Sequence, residues 1–392
     1  MEELTLFQNF FNTASHLQLP LAIWRLPKET VIRGIVDLTE HSSKTWEFEQ
    51  SSGSSGYVVQ GFDNTDQSNK LFIRASVLCN ATDIIKLNDA QQHLIKPELW
   101  KKFQDHFNDR TFQKENLSFH EEIISFENSA DYKKIVGLAI EAIANNEFKK
   151  VVLGRQKIIA LSDPISIVKI YFDLVKAYPT AFVSIIYHPS KGCWVGASPE
   201  LLLSINSANI FKTVALAGTQ KINTNTPLSE IVWTHKEIEE QALVARYIIN
   251  CFKTIRLRDY EDIGPRTVIA GQLAHLQTDF EVNMIDTGYP DLANLMLNLL
   301  HPTSAICGMP KLEALNFINT HENIDRSLFS GYCGPINFES QSNLFVNIRC
   351  SRVYSNAVTL YAGAGITQES NPQKELDETN AKMETIGRFF EG

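Results

Sequence analysis

The sequence of 392 residues predicts an antiparallel α+β fold. Three observations predict it. Candidate strands follow one another directly along the chain. Helical segments are few. No G-x-G-x-x-G or P-loop opens a helix after a strand; Gly363-Ala364-Gly365 lacks the third glycine and leads into no prompt helix.

The first ~125 residues carry Ser- and Asn-rich breaks, Gln50–Gly56 and Asp63–Asn69, between short strands such as Tyr57–Gln60 and Lys70–Val77. From about Ser129 the pattern is denser. Ala130–Asn146 has apolar residues at helical spacing, and Phe148–Ala160 is a Val- and Ile-rich strand. Pro164–Ala177 is a helix with Ile165, Val168, Tyr171, Phe172 and Val175 on one face. Thr180–Tyr187, Gly192–Ile205 and Ile210–Ala217 follow as strands, with a hairpin turn at Asn206–Asn209. Leu228–Lys253 is a long amphipathic helix in which Ile238, Ala242, Ala245, Ile249 and Phe252 repeat at steps of four and three. Strands around Thr267–Met284 come next, then helices at Asp291–Leu300 and Lys311–Asn319 flanking HPTSAICGMP. Strands resume at Gly331–Phe338, Asn343–Tyr354 and Val358–Ile366. The last helix starts at Asn371-Pro372, cap and first position, and runs to about Phe390.

Composition excludes several classes. The formal charge is −9, which disfavours a non-specific nucleic-acid binder. No apolar stretch approaches the ~20 residues of a spanning helix, and the N-terminus lacks the basic region of a secretory signal. The six cysteines are scattered with no C-x-x-C pair, as in a reduced cytoplasmic protein whose thiols pack in the core. A sequence of this kind is expected in the cytoplasm, off the membrane and away from nucleic acid.

Candidate chemistry sits in a few places, each with a plainer reading beside it. Glu237 and Glu240 lie three apart on one helix, Glu375 and Glu378 on another. Such pairs repel unless a cation lies between them, and two facing pairs would suit Mg²⁺; the plainer reading is two solvated helix faces. Lys149 and Lys150 precede VVLGR, and strand alternation sends them to opposite sides; a buried lysine can act as a base, whereas most such pairs are surface lysines. Glu200 lies between apolar strand segments, where desolvation would raise its pKa and suit it to donate a proton; an edge carboxylate bonded to backbone is the alternative. Gly218 permits close backbone approach or a plain turn. His275 and Arg349 lie within apolar strands, the first a core histidine or a cleft group, the second in need of an anion.

Nine segments in one order, FKKVVLGR, VGASPELLL, ALAGT, KEIEE, AHLQT, LHPTSAICGMP, SGYCG, NIRCSR and AGAGI with S-x-P-x-x-E-x-x-E-T-x-x-K, resemble the chorismate-utilising enzymes. That family includes isochorismate, salicylate, anthranilate and aminodeoxychorismate synthases. The resemblance covers residues 129–392, the catalytic region; residues 1–128 match the family's variable N-terminal part only in their strand-rich texture. It implies an α+β domain of two packed antiparallel β-sheets with helices outside and a cleft between the layers.

The resemblance also implies roles. Lys150 matches the base that activates water for attack at ring C2, and Glu200 the acid that protonates the departing C4 hydroxyl. Glu237, Glu240, Glu375 and Glu378 match the acids that hold Mg²⁺, directly or through water, against the ring carboxylate. Arg349 and the Gly363 N–H match groups that receive the enolpyruvyl carboxylate. Gly218, Thr219, His275, Ala305 and Lys382 match further cleft positions.

Ala217 stands where aminodeoxychorismate synthases place a lysine nucleophile. Ala305 stands where anthranilate and salicylate synthases carry threonine, and Phe329 where salicylate synthases carry tyrosine. No L-L-E-S segment of the anthranilate synthases is present near the N-terminus. Gln241 replaces a common histidine, which removes a titrating group there. The implied activity is reversible conversion of chorismate to isochorismate, with salicylate synthesis as the alternative within the family and a non-catalytic chorismate-fold binder as the alternative outside it. The implied enzyme is a monomer without a glutaminase subunit, since water is its nucleophile. The product would enter menaquinone or siderophore synthesis.

Overall fold

The computed structural model describes residues 2–39, 48, 54–63, 70–87, 95–109, 129–163, 165–222, 227–270 and 273–391. The first elements are α1 (Glu2–His16), β1 (Leu21–Arg25), β2 (Arg33–Val36), β3 (Gly56–Gln60), β4 (Lys70–Arg74), β5 (Val77–Cys79), β6 (Ile84–Lys86), α2 (Pro97–Asn108) and α3 (Ser129–Ala144). The middle holds β7 (Lys150–Ala160), α4 (Ile167–Ala177), β8 (Phe182–His188), β9 (Gly192–Ser198), β10 (Leu201–Ile205), β11 (Ile210–Lys221), α5 (His235–Thr254), β12 (Glu261–Ala270) and β13 (Leu273–Asn283). The chain ends with α6 (Leu292–Leu300), β14 (Gly308–Met309), α7 (Lys311–His321), β15 (Tyr332–Ile336), β16 (Ser342–Val346), β17 (Cys350–Val353), β18 (Ala357–Ile366) and α8 (Pro372–Gly387). The predicted Ser- and Asn-rich loops fall mostly outside the described residues.

Two sheets form. One has ten strands in the order β14-β7-β18-β17-β9-β8-β1-β2-β5-β6; the other has eight, β12-β13-β11-β10-β16-β15-β3-β4. Their pairings are antiparallel, as in β7–β18, where Val151 lies opposite Ile366.

Strand alternation explains how the ten-stranded sheet is covered. On β8, Phe182 and Ile186 point between the sheets, while Val183, Ile185 and Tyr187 point to the opposite face. The inner layer joins Trp24, Tyr57, Phe182, Trp194 and Phe345, and the rings of Phe182 and Phe345 stack at 4.2 Å across the two sheets. The outer face is covered by apolar residues of α1, α2, α4 and α8. On the other side α5 and α6 pack with β10, β11 and β13. Burial of these apolar faces is the main force holding the layers.

Two segments differ from their sequence reading in a way that matters for the site. Gly192–Ile205 reads as one strand but is two, with β9 in the ten-stranded sheet and β10 in the eight-stranded one. Pro199 cannot donate to a ladder, and the chain changes sheets there. Asn343–Tyr354 divides likewise into β16 and β17. Arg349 sits at that change with φ 51°, a left-handed conformation. The two crossings lie side by side. Ala197 N–H donates to the Arg349 carbonyl at 3.0 Å, Val346 N–H to the Glu200 carbonyl at 3.0 Å, and Ser198 Oγ to the Val346 carbonyl at 2.6 Å.

Helix boundaries follow their caps. Ser166 accepts from Lys169 N–H and starts α4; Asn371 accepts from Gln373 and Lys374 N–H and starts α8. The helix read as Leu228–Lys253 begins later. A short 3₁₀ turn spans Leu228–Glu230, and α5 opens at a capping box of Thr234 and Glu237. The Asn206 side chain accepts from Ala208 and Ile210 N–H and closes the expected hairpin. The helix α1 has no counterpart in the sequence reading; Phe7, Phe10 and Phe11 form its buried face.

Candidate active site

Lys150 opens β7, paired on one side with Met309 of β14, while β7 runs beside β18 on the other. Lys149 is exposed and Lys150 turns inward, as strand alternation requires. The Lys150 side chain lies over Gly365 of β18; a Cβ there would meet its Cε at 2.9 Å. Glu200 sits in the first sheet crossing. Burial is the main influence on both groups. It holds the Lys150 ammonium below the ordinary lysine range, opposed by the charges of Glu240, Glu200 and Glu378 and reinforced by Lys382. Burial pushes Glu200 up to about 7, against the pull of Lys150 and Lys382. The same burial thus drives one group toward a free amine and the other toward a neutral acid.

α8 brings Glu378 and Lys382 close to Lys150. Arg155, deep in β7, donates from Nη1 to the Leu376 carbonyl, Thr379 Oγ1 and Asn380 Oδ1 at 3.2, 2.7 and 2.9 Å, and so pins the helix. Burial lowers the Arg155 guanidinium to about 10. On that helix Lys382 Nζ donates to the Gly363 carbonyl at 2.8 Å and pairs with Glu378 at 2.5 Å. The Gly363 carbonyl thus anchors the Lys382 ammonium. Glu375 lies one turn earlier, where its charge acts on the Tyr132 hydroxyl together with that of Glu378.

The four predicted metal acids are not placed alike. Glu240 and Glu378, from α5 and α8, both act on the Lys150 ammonium. The Glu237 carboxylate also serves the cap of α5. It accepts from Thr234 N–H at 2.7 Å and from Gln220 Nε2 at 3.3 Å, because it is the N3 residue of the α5 cap. Among the described residues no three His, Cys, Asp or Glu side chains close round one point. Two carboxylates on one cleft still suit Mg²⁺, which commonly takes one or two from protein and completes its shell with water and substrate oxygens.

At the other wall, β11 bulges between Ala217 and Thr219, opposite His275 of β13. Gly218 adopts φ +66° there, and a Cβ would meet Glu237 Cβ at 3.2 Å. Burial lowers His275, its ring bonds to the Gly218 carbonyl, and Arg349 lies near enough to act on it. Burial also lowers Arg349, against the charge of Glu378. The side chain of Thr219 lies outside the described part. Ala305 lines a small cavity together with Glu200. Gln241 is 2% exposed and donates to the Ala215 carbonyl at 3.1 Å and to Thr278 Oγ1 at 3.0 Å, so this position ties α5 to the sheet.

Beyond Arg155, the sequence reading missed the buried pair Glu322–Arg326. Glu322 accepts from Gly154 N–H at 2.8 Å, and Arg326 donates to the carbonyls of Val152 and Ile306 at 2.9 and 3.1 Å. It thereby clamps the HPTSAICG segment to the strand that carries Lys150. The i, i+4 spacing of an acid and a base was the available signal, and the sequence reading did not use it.

A family model described as "Chorismate binding enzyme" matches residues 34–391. The vibriobactin-specific isochorismate synthase of Vibrio cholerae is 30% identical over 270 residues, 67% of each chain. The isochorismate synthase EntC of Escherichia coli is 28% identical over 302 residues, 75% of this chain and 76% of its own. Among solved structures, MenF, the menaquinone-specific isochorismate synthase from Escherichia coli, superposes with a TM-score of 0.75 at 19% identity, over 95% of this chain and 88% of its own.

Proposed function

The chain belongs to the chorismate binding enzyme family, and from that premise we propose that it is an isochorismate synthase. The observation that carries the reading is the pair Lys150 and Glu200, both buried, whose charges act on each other while burial drives their proton affinities in opposite directions. A base and an acid so arranged suit exchange of one hydroxyl for another across a diene.

Neutral Lys150 takes a proton from a water as its oxygen bonds to C2 of chorismate. The two double bonds shift by one position, and the C4–oxygen bond breaks. Protonated Glu200 gives its proton to the departing hydroxyl, which leaves as water. The step ends with Lys150 charged and Glu200 ionised, and proton exchange with solvent resets both. Arg349, beside His275, offers a buried cation to a substrate carboxylate. Ala217 leaves no amine to compete with water for C2.

Glu240 and Glu378 would hold a divalent cation, Mg²⁺, which would present positive charge to the ring carboxylate. The site's lysines and Arg349, with this cation, would draw a dianion to an acidic protein. No helix among the described residues is long and apolar enough to cross a membrane. We further propose a cytoplasmic enzyme that acts without a glutaminase subunit, because water replaces ammonia.

Incubation with chorismate and Mg²⁺, followed by chromatographic separation of the isomers and mass analysis of each peak, tests the reading. Isochorismate keeps the enolpyruvyl group and the mass of chorismate. A product lacking that group would be salicylate, and binding without turnover would mark a non-catalytic member.

A further inference from the structure

The cavity that holds Ala305 and Glu200 contains a second hydroxyl position that no role yet explains. Its walls include Tyr247, Leu300, Thr303 and Ser304. The protein satisfies most of the polar groups here. Tyr247 donates to the Leu299 carbonyl at 2.8 Å, and Thr303 Oγ1 accepts from Ala305 N–H at 3.3 Å. Ser304 differs. It is 3% exposed, and its Oγ is buried with no hydrogen-bond partner among the described residues. Its backbone is fixed by the turn in which Ile306 and Cys307 N–H donate to the Thr303 carbonyl. Nor does any hydrogen bond join the Glu200 carboxyl to another described residue.

Buried hydroxyls are rarely left alone, and an orphan in a polar cavity calls for a water or a ligand group. We propose that Ser304 is a positioning residue for Glu200, holding a water that donates to the carboxyl oxygen not facing the substrate. This deepens the isochorismate reading and rests on it for its catalytic consequence. A carboxylic acid has one proton and two oxygens. Fixing one oxygen as an acceptor leaves the O–H directed at the C4 hydroxyl. The same bond stabilises the carboxylate left behind, so that proton release is easier. The water is neither consumed nor formed. The groups that set the charge of Glu200 are Lys150 from β7 and Lys382 from α8, with the neutral Tyr247 of α5 in the cavity wall.

The sign follows. A donor to the carboxylate favours the ionised form, so its loss raises the Glu200 pKa above its starting value of about 7. The full-length Ser304→Val, Ser304→Ala and Ser304→Thr variants test the idea by two readouts. In turnover with chorismate and Mg²⁺, Ser304→Val should lower kcat about tenfold, a part of the ~10²–10⁴-fold that a general acid contributes, with KM nearly unchanged. The limb on which rate falls as Glu200 ionises should move to higher pH. Ser304→Ala should behave alike, and Ser304→Thr should restore both. Without substrate, the pH dependence of melting temperature between pH 5 and 8 should shift the same way in Ser304→Val and not when Glu200→Gln is also present. An unmoved limb and an unmoved melting profile, or a threonine variant as impaired as valine, overturn the role of Ser304. A wild-type protein that makes no isochorismate overturns the functional reading instead, and the melting profile then still decides whether Ser304 acts on Glu200.

Discussion

The ammonium of Lys382 lies 2.5 Å from Oε1 of Glu378, one helical turn earlier on α8, and 2.8 Å from the Gly363 carbonyl. A tethered cation thus occupies a carboxylate that a divalent ion would need. Lys382→Met should free Glu378 and tighten Mg²⁺ binding severalfold in calorimetric titration without substrate. Glu378→Gln and Glu240→Gln should weaken it. Identical isotherms for the two glutamine variants and the wild type would remove both acids from the metal site.

Lys150→Ala should lower turnover by ~10²–10⁴, the range of a lost general base. The melting temperature should stay close to wild type, because a lysine held against its preference by burial gives little to the fold. Normal turnover would exclude Lys150 as the base.

Glu200 makes the fold pH-sensitive. Its folded pKa, about 7, lies above its ordinary 4.5. The unfolded chain therefore loses this proton first, and stability falls as pH rises from about 4.5 to about 7. The contribution is about 3 kcal/mol. Glu200→Gln should be inactive, more stable than wild type at pH 8 and little different at pH 4. Equal pH dependence of melting in the two proteins would show that Glu200 is not held protonated.

Ala305→Thr adds two heavy atoms to the wall of the cavity shared with Glu200. Overpacking of about 1–3 kcal/mol felt at the reacting centre corresponds to roughly 10–100-fold in rate. The product mixture should change along with the rate. A wild-type product profile would separate this position from the choice of reaction.

Removing one partner of the buried pair Glu322–Arg326 should cost about 3–5 kcal/mol. Both side chains are about 95% buried, and Glu322 also accepts from Gly154 on the Lys150 strand. Glu322→Ala should therefore lower the urea midpoint strongly. A midpoint near wild type would contradict the clamp.

Local rules made much of this legible. Asn371-Pro372 marks the start of α8, and alternation along β7 separates Lys149 from Lys150. What stayed hidden depends on which sheet a strand joins. Gly192–Ile205 is apolar nearly throughout, so periodicity could not divide it, although Pro199 was a sign of interruption. Thr234-x-x-Glu237 is a capping box in plain view, and it accounts for the late start of α5 and for the hydrogen bond that Glu237 gives to the helix cap by accepting from Thr234 N–H. The contacts of Arg155 and Arg326 join residues far apart in the chain, and no local pattern encodes them.

The chain passes from one sheet to the other at Pro199 and again near Arg349, directly beneath the reacting groups. Covalent stitches at that depth forbid the layers to part like the covers of a book.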